Sequence, residues 1–259
     1  MDNNNWGIKR IDVLPPKGRT LLLYGQAGRG KTTLINTLRG KILLVNIDCG
    51  EQVININNTK NEIFVMNLIT DEIVTPHDVF KRFVDFSDYL VKQVSLPWGY
   101  VIVDNISLIE NSSLVSITNR RNIKSPDQNA YGEAGFAMLD VLSTLRNITF
   151  KGVNLIYIAW EKTEKISDFG GEVHSEKGPM LIGQTQLKAN GLVDFLGALR
   201  VDKKGTRYLQ FDSDSKYSAK KREEYGKTYP SIIECPKDSD STLQDFFDLI
   251  SRARTGHVD

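Results

Sequence analysis

This 259-residue sequence has little cysteine, no long hydrophobic run and no large excess of one charge. Cys49 and Cys235 are its two cysteines and form no CxxC pair, so they predict neither a disulfide framework nor a zinc site. No apolar run approaches the ~20 residues that a membrane helix needs. The polar stretch MDNNNWGIKR (residues 1–10) lacks the apolar core of a signal peptide, so we expect a cytoplasmic protein with no membrane partner. The formal net charge is +1, so any surface for nucleic acid must come from local patches.

The hydrophobic pattern consists of short apolar runs that alternate with longer amphipathic stretches. This alternation is typical of a largely parallel β-sheet with crossover helices. The runs predict strands at 19–25, 41–48, 62–68, 100–105 and 154–160. The amphipathic stretches predict helices at 31–40, 75–94, 106–117 and 133–148.

Two polar stretches, 118–132 and 161–191, lack periodicity and are predicted to be loops. The runs 195–201 and 206–212 predict a β-hairpin, and Ser241 with Gln244 predicts a capping box that opens a helix. We therefore expect an α/β fold with a parallel-dominated sheet flanked by helices and an antiparallel β-rich C-terminal part. The predicted organisation is a single domain over 1–259, with a core of about 15–225 and a helical tail of about 240–253.

The most specific motif is GQAGRGKTT, which directly follows the apolar run LLLY. Its spacing, Gly25-x-x-x-x-Gly30-Lys31-Thr32, is that of a P-loop. The glycines allow the backbone N–H groups to approach phosphate oxygens, and the following helix directs its N-terminal dipole at the anion. Lys31 supplies a positive charge to the phosphates, and the Thr32 hydroxyl is suited to bind Mg²⁺. The motif predicts ATP and Mg²⁺ binding by Gly25, Gln26, Ala27, Gly28, Arg29, Gly30, Lys31, Thr32 and Thr33.

A P-loop ATPase also needs a carboxylate near the metal. The strand YVIVDN supplies Asp104 at the Walker B position, where it is predicted to share the metal with Thr32. The next residue is Asn105, which cannot accept a proton as the glutamate of many ATPases does. We expect Glu51 to activate water, with Asp48 at the end of the strand KILLVNID as the close alternative. Both acids are also compatible with solvated turn positions.

A third polar group follows the apolar strand NLIYIAW. Glu161 or Lys162 lies where a γ-phosphate sensor is expected, whereas Trp160 is equally compatible with core packing.

Together, GQAGRGKT, VIVDN, QNAYGEAGFAMLDVLSTLRNI, NLIYIAWEK and ALRVDKKGTRYLQFDSDSKYSAKKR resemble a family of phage-encoded RecA-like P-loop ATPases. These small AAA-domain proteins include the Sak-four single-strand-annealing recombinases. The resemblance covers about residues 15–225 and implies a RecA-like core, ATP and Mg²⁺ binding, and a homo-oligomeric ring or filament. It also implies a role on single-stranded DNA in phage recombination or replication, inside the host cytoplasm. Trp160 departs from the histidine expected at that position, which weakens the sensor assignment.

The resemblance further implies basic fingers that reach a neighbouring subunit, and Lys220, Lys221 and Arg222 occupy that position. Arg120, Arg121 and Lys124 lie where RecA-like proteins keep a DNA-facing loop. Positive charge there suits a nucleic-acid backbone, although a solvated basic loop explains it equally well. Two other functions stay open. One is an ATP-dependent loader for a helicase or polymerase, and the other is a nucleotide-gated scaffold without hydrolysis, which Asn105 keeps possible.

Overall fold

The computed structural model of the chain describes residues 17–48, 50–73, 75–167, 173–223, 228–236 and 238–252. Within them the strands are β1 (Thr20–Gly25), β2 (Gly40–Asn46), β3 (Asn61–Asn67), β4 (Tyr100–Asp104), β5 (Asn154–Ser167), β6 (Val173–Pro179), β7 (Phe195–Val201), β8 (Arg207–Gln210), β9 (Lys220–Lys221) and β10 (Ile232–Glu234). The α-helices are α1 (Pro76–Lys92), α2 (Ile106–Arg120), α3 (Gln128–Leu145), α4 (Gln184–Leu192) and α5 (Thr242–Arg252). Short 3-10 helices cover Thr32–Thr37, Gly50–Val53 and Arg146–Lys151.

The central sheet has the strand order β10-β8-β7-β1-β5-β4-β2-β3. Its six strands from β7 to β3 run parallel, whereas β6, β8, β9 and β10 add antiparallel pairings. The strands β1 and β4 are buried along their whole length, which explains why their sequences are continuous apolar runs. The predicted fold, a mostly parallel sheet flanked by helices with an antiparallel C-terminal part, is confirmed.

Each face of the sheet has its own hydrophobic core, because side chains alternate along β1. Leu22 and Tyr24 pack with residues of α1, α2 and α3. Leu21 and Leu23 pack on the opposite face with the 3-10 helix Thr32–Thr37 and α5. The sheet is thus covered on both sides, as its apolar strands require.

The stretch 161–191, predicted to be a loop, is largely regular structure. β5 continues to Ser167, pairs antiparallel with β6, and is followed by α4. The loop prediction was wrong because this hairpin projects beyond the core. Its residues Thr163, Glu164 and Lys165 are all exposed, so no alternation of apolar and polar residues marks the strand.

Other boundaries also differ from the predictions. The loop predicted at 118–132 is shorter, because α2 extends to Arg120 and α3 begins at Gln128 after Asp127, whose side chain accepts a hydrogen bond from the Ala130 amide at 2.7 Å. The helix predicted at 31–40 is reduced to the 3-10 helix Thr32–Thr37.

The prediction that Ser241 and Gln244 form a capping box is wrong as well. The Gln244 Oε1 atom accepts hydrogen bonds from the Arg39 amide at 2.9 Å and the Tyr100 hydroxyl at 3.1 Å, and so ties α5 to the sheet. Along the described ranges, no helix combines the length and apolarity needed to cross a membrane.

Candidate functional site

The P-loop leaves the carboxyl end of β1 and borders a cavity of about 350 Å³. The loop, β2 and β4 meet there because the carboxyl ends of parallel strands share one edge of the sheet. The cavity is lined by Ala27, Gly28, Gly30, Lys31, Thr32, Thr33, Asp48, Gly50, Val53, Asp104, Asn105 and Trp160. Most of the residues predicted for nucleotide binding are therefore gathered around one space.

Glycine is required at three points of this loop. Gly28 and Gly30 have φ values of 72° and 92°, which side-chain-bearing residues rarely adopt. A Cβ atom at Gly25 would lie 2.7 Å from the Leu199 carbonyl oxygen on β7. The loop therefore follows this path without strain only with glycine at these positions. Gln26 and Arg29 are exposed, and the Gln26 Oε1 atom accepts hydrogen bonds from the Arg29 guanidinium.

Lys31 lies inside the loop, where it is 7% exposed. Its ammonium group donates to the carbonyl oxygens of Gly25 at 2.8 Å and Gln26 at 3.0 Å. Burial lowers the pKa of Lys31, and the nearby carboxylates of Asp104 and Asp48 act in the opposite direction. The cation is thus held in position by the loop that is expected to surround the phosphates.

Asp104 and Thr32 are joined directly, since the Thr32 hydroxyl donates to Asp104 Oδ2 at 2.6 Å. Burial raises the pKa of Asp104 to about 6, and the neighbouring Asp48 carboxylate adds to the effect. A bound cation would stabilise the ionised form of this buried carboxylate.

These groups fit Mg²⁺, a hard cation that is usually held by one or two carboxylates, phosphates and water. The described residues contain no cluster of three or more His, Cys, Asp or Glu side chains suited to a metal. A nucleotide-dependent Mg²⁺ site does not need such a cluster, since phosphate oxygens complete it.

The two acids proposed to activate water differ in their surroundings. β2 lies beside β4, with Asn46 opposite Asp104. Asp48 lines the cavity, and its Oδ1 atom accepts the Gly50 amide at 3.1 Å. The Glu51 carboxylate instead accepts a hydrogen bond from the Asn46 side chain. The structure therefore brings Asp48 to the cavity, while the choice of Glu51 as the base stays a prediction.

Asn105 has a structural role that the sequence could have indicated. It is buried, precedes α2, and its Oδ1 atom accepts the Ser107 amide at 2.8 Å, so it is the N-cap of that helix. Asparagine is among the preferred N-cap residues, and this was the available signal. The Ser107 hydroxyl in turn accepts the Trp160 amide at 3.1 Å.

Glu161 contacts the P-loop, whereas Lys162 does not. Glu161 Oε1 accepts hydrogen bonds from Lys177 Nζ at 2.8 Å and from Gln26 Nε2 at 3.4 Å. The ammonium group of Lys162 donates to the Leu181 carbonyl at 2.6 Å. Lys177, on β6, was missed in the sequence because it lies in the stretch predicted to be a loop. A network thus links the P-loop to the β5–β6 hairpin.

Comparison with protein families agrees with this geometry. Residues 17–223, about four fifths of the chain, match the family model described as an AAA domain. The chain belongs to this AAA domain family. An AAA domain indicates a P-loop NTPase, that is, a nucleotide-binding protein that in general hydrolyses ATP, usually with Mg²⁺. No curated protein matches the chain.

The three residues predicted as fingers of the AAA domain make internal contacts. The Lys220 ammonium donates to the carbonyls of Asn190 and Val193, both at 2.9 Å, near the end of α4. Lys221 Nζ donates to the Tyr229 carbonyl at 3.0 Å, and Arg222 binds Asp194 at 2.9 Å.

Lys220 and Lys221 also pair with the beginning of β7, which is aligned with the beginning of β1. They lie at the opposite end of the sheet from the P-loop. The finger role stays a prediction, and the contacts of these side chains do not favour it.

The residues predicted to contact DNA lie at the end of α2 and on the connection to α3 in the AAA domain. Arg121 forms a two-point ion pair with Asp127 at 2.8 and 2.9 Å, and Arg120 pairs with Glu133. Lys124 is exposed. The structure brings the three cations to one connection, but acidic partners balance the two arginines.

Proposed function

We propose that this AAA domain binds ATP with Mg²⁺, hydrolyses it, and works as a RecA-like homo-oligomer on single-stranded DNA in phage recombination, annealing or replication. The observation that carries the ATPase part is the convergence of Lys31, Thr32, Asp104 and Asp48 on one cavity. These groups supply a cation for phosphate, two ligands for Mg²⁺ and a carboxylate for water.

In the proposed mechanism, the P-loop amides and Lys31 bind the phosphates and stabilise the charge that develops on the transferred group. Thr32 and Asp104 hold the Mg²⁺, whose chemistry is to neutralise phosphate charge. Asp48 lies in the cavity and orients the attacking water, with Glu51 as the alternative. Glu161 binds both Gln26 of the P-loop and Lys177 on β6, so a movement of the P-loop on nucleotide binding is transmitted to the hairpin.

The homo-oligomer part is supported by the charges around the cavity. Among the described residues that line it, Lys31 is the one cation. A triphosphate together with the Asp48 and Asp104 carboxylates carries more negative charge than Lys31 and one Mg²⁺ balance, so a basic group from a neighbouring subunit would complete the site.

The DNA part is supported by a second cavity of about 650 Å³ between α3 and α4. Tyr131 and Phe136 line it and are 44% and 75% exposed, and Lys188 adds positive charge. Lys124 lies on the connection that leads into α3. Exposed aromatic rings beside cations are typical of sites where successive bases stack.

The ATPase proposal is tested by phosphate release with and without single-stranded DNA, with Lys31→Ala as the blank. We expect Asp48→Asn to lower kcat by about 10²-fold or more while ATP binding is kept. Glu51→Gln is expected to have a smaller effect. Absence of turnover in the wild type, with and without DNA, would refute hydrolysis and favour the nucleotide-gated scaffold. Hydrolysis indifferent to DNA would favour the loader.

The DNA proposal is tested by fluorescence anisotropy with a labelled oligothymidine. Phe136→Ala is expected to weaken binding by roughly five- to a hundredfold, the range for loss of one stacked base. Tyr89→Ala is a matched control, because Tyr89 is an aromatic residue of α1 that is 54% exposed. Equal affinities for wild type and Phe136→Ala would remove this surface from the proposal.

A further inference from the structure

Another cavity, of about 300 Å³, begins at the P-loop. It is lined by Thr33, Leu34, Asn36, Thr37, Asn55, Asn58, Lys60, Arg207, Asp238, Ser239 and Asp240. Thr33 lines this cavity and the phosphate cavity alike, so the two cavities are neighbours on either side of that residue. A volume of about 300 Å³ is at the lower end of the range for small-molecule sites.

Arg207, the first residue of β8, connects this cavity to the P-loop. Its Nε and Nη2 atoms donate to the carbonyl oxygens of Cys235 at 3.3 Å and Pro236 at 3.1 Å. A Cβ atom at Gly30 would lie 2.6 Å from Arg207 Nη1. Glycine at this position therefore lets the guanidinium group contact the loop backbone.

The residues of the phosphate cavity determine the direction in which the nucleotide lies. Lys31, Thr32 and Asp104 mark the end that holds the outer phosphates and Mg²⁺. A triphosphate that extends from this end past the residue that follows Thr32 reaches the second cavity. That residue is Thr33, which lines both cavities.

We propose that the ribose and base of the nucleotide occupy the cavity between Thr33 and Arg207, with the Arg207 guanidinium stacked on the base. This inference rests on the proposed nucleotide binding. The guanidinium is planar and already fixed by two carbonyl oxygens, so little freedom is lost when it meets a flat ring. Stacking of a cation on an aromatic face is a favourable contact for arginine.

The same cavity offers few groups for reading the edge of the base. Asn36 donates to the Val53 carbonyl and accepts the Asn55 amide, and Asn58 donates to the Asn36 carbonyl. Lys60 and Asp240 form an ion pair. Because these side chains are engaged by other groups of the protein, the flat face of the base supplies most of the recognition. ATP and GTP are expected to bind within about tenfold of each other, since stacking tolerates any base.

Binding of Mg²⁺ complexes of ATP, ribose 5-triphosphate and tripolyphosphate, measured by calorimetry, tests the inference. The wild type should bind ATP about tenfold or more tightly than ribose triphosphate. Arg207→Ala and Arg207→Lys should weaken ATP binding by about tenfold and leave tripolyphosphate binding unchanged. Lys203→Ala is the matched control for Arg207→Ala, because Lys203 is exposed in the turn that leads into β8 and its loss changes the charge equally.

The possible results separate the two proposals. If the wild type binds ATP and ribose triphosphate equally, or if Arg207→Lys binds ATP as the wild type does, the base site is overturned while nucleotide binding stands. An equal loss of ATP and tripolyphosphate binding in the Arg207 variants would also overturn it. If the wild type binds none of the three, the proposed function fails. Because the wild-type comparison needs no variant, the inference stays testable even if Arg207→Ala does not fold.

Discussion

Replacing Glu110 by glutamine is expected to remove the pH dependence of stability that this one buried carboxyl group contributes. Glu110 lies on α2, is 1% exposed, and its Oε2 atom accepts the Ile182 amide at 2.7 Å before α4 begins. Burial raises its pKa from 4.5 to about 7, against the opposing effects of hydrogen bonds from Ile182 and Thr185 and the charge of Lys162.

The sign and size of the effect follow from this pKa. The folded protein favours the neutral carboxyl, whereas the unfolded chain ionises it at its ordinary value. The stabilisation is therefore fully present below about pH 4.5 and is lost as the pH rises towards 7. Each unit of difference between the folded and unfolded pKa values corresponds to ~1.36 kcal/mol. The free energy of unfolding therefore falls by about 3 kcal/mol as Glu110 ionises.

Urea unfolding of wild type and Glu110→Gln at pH 4.5 and pH 8 measures this loss. The advantage of the variant should grow by about 3 kcal/mol between the two pH values, because glutamine does not titrate. Glu62→Gln is the matched control, since the Glu62 side chain on β3 is 65% exposed. If the stability difference between wild type and Glu110→Gln is the same at both pH values, the reasoning from burial is refuted.

Two further substitutions test the packing around the sheet. The Phe246 ring is 2% exposed and stacks on Phe211 with 4.6 Å between the ring centroids. Phe246→Ala should therefore lower the free energy of unfolding, measured in urea, by about 3–5 kcal/mol. A loss below about 1 kcal/mol would contradict tight packing of this core. Gly25→Ala places a Cβ atom 2.7 Å from the Leu199 carbonyl oxygen and should cost about 1–3 kcal/mol, seen as a lower Tm. An unchanged Tm would show that β1 and β7 can move apart to accept the extra methyl group without a loss of stability.

The P-loop was predictable because everything that defines it is local. The buried strand β1, the glycines and Lys31 lie within about a dozen consecutive residues, and the conformation that each needs follows from its own chemistry. The same applies to Asp104, which ends a buried strand of continuous apolar character. The fold class followed for a similar reason, since strands buried on both faces require helices on both sides.

The choice between Asp48 and Glu51 shows where local information ends. The two acids are three residues apart, and both follow the same strand. Their different surroundings depend on the turn at Gly50–Val53 and on Asn46, whose side chain bonds Glu51 and, at 3.1 Å, Asn67 on β3. The position of Asn67 is set by strand pairing, which sequence spacing does not reveal.

The residues that only the structure brings to the site come from later in the chain. Lys177 reaches Glu161 because β5 and β6 pair, and Arg207 reaches Gly30 because the last strands of the sheet fold back beside β1. The positions of Lys177 and Arg207 depend on which strands pair in the sheet, and no sequence motif indicates that pairing. The phosphate end is therefore built from a continuous loop, while the base end and the link to the hairpin are built from distant strands. For this reason we expect substitutions in the P-loop to impair every triphosphate alike, and substitutions at Arg207 to impair only those that carry a base.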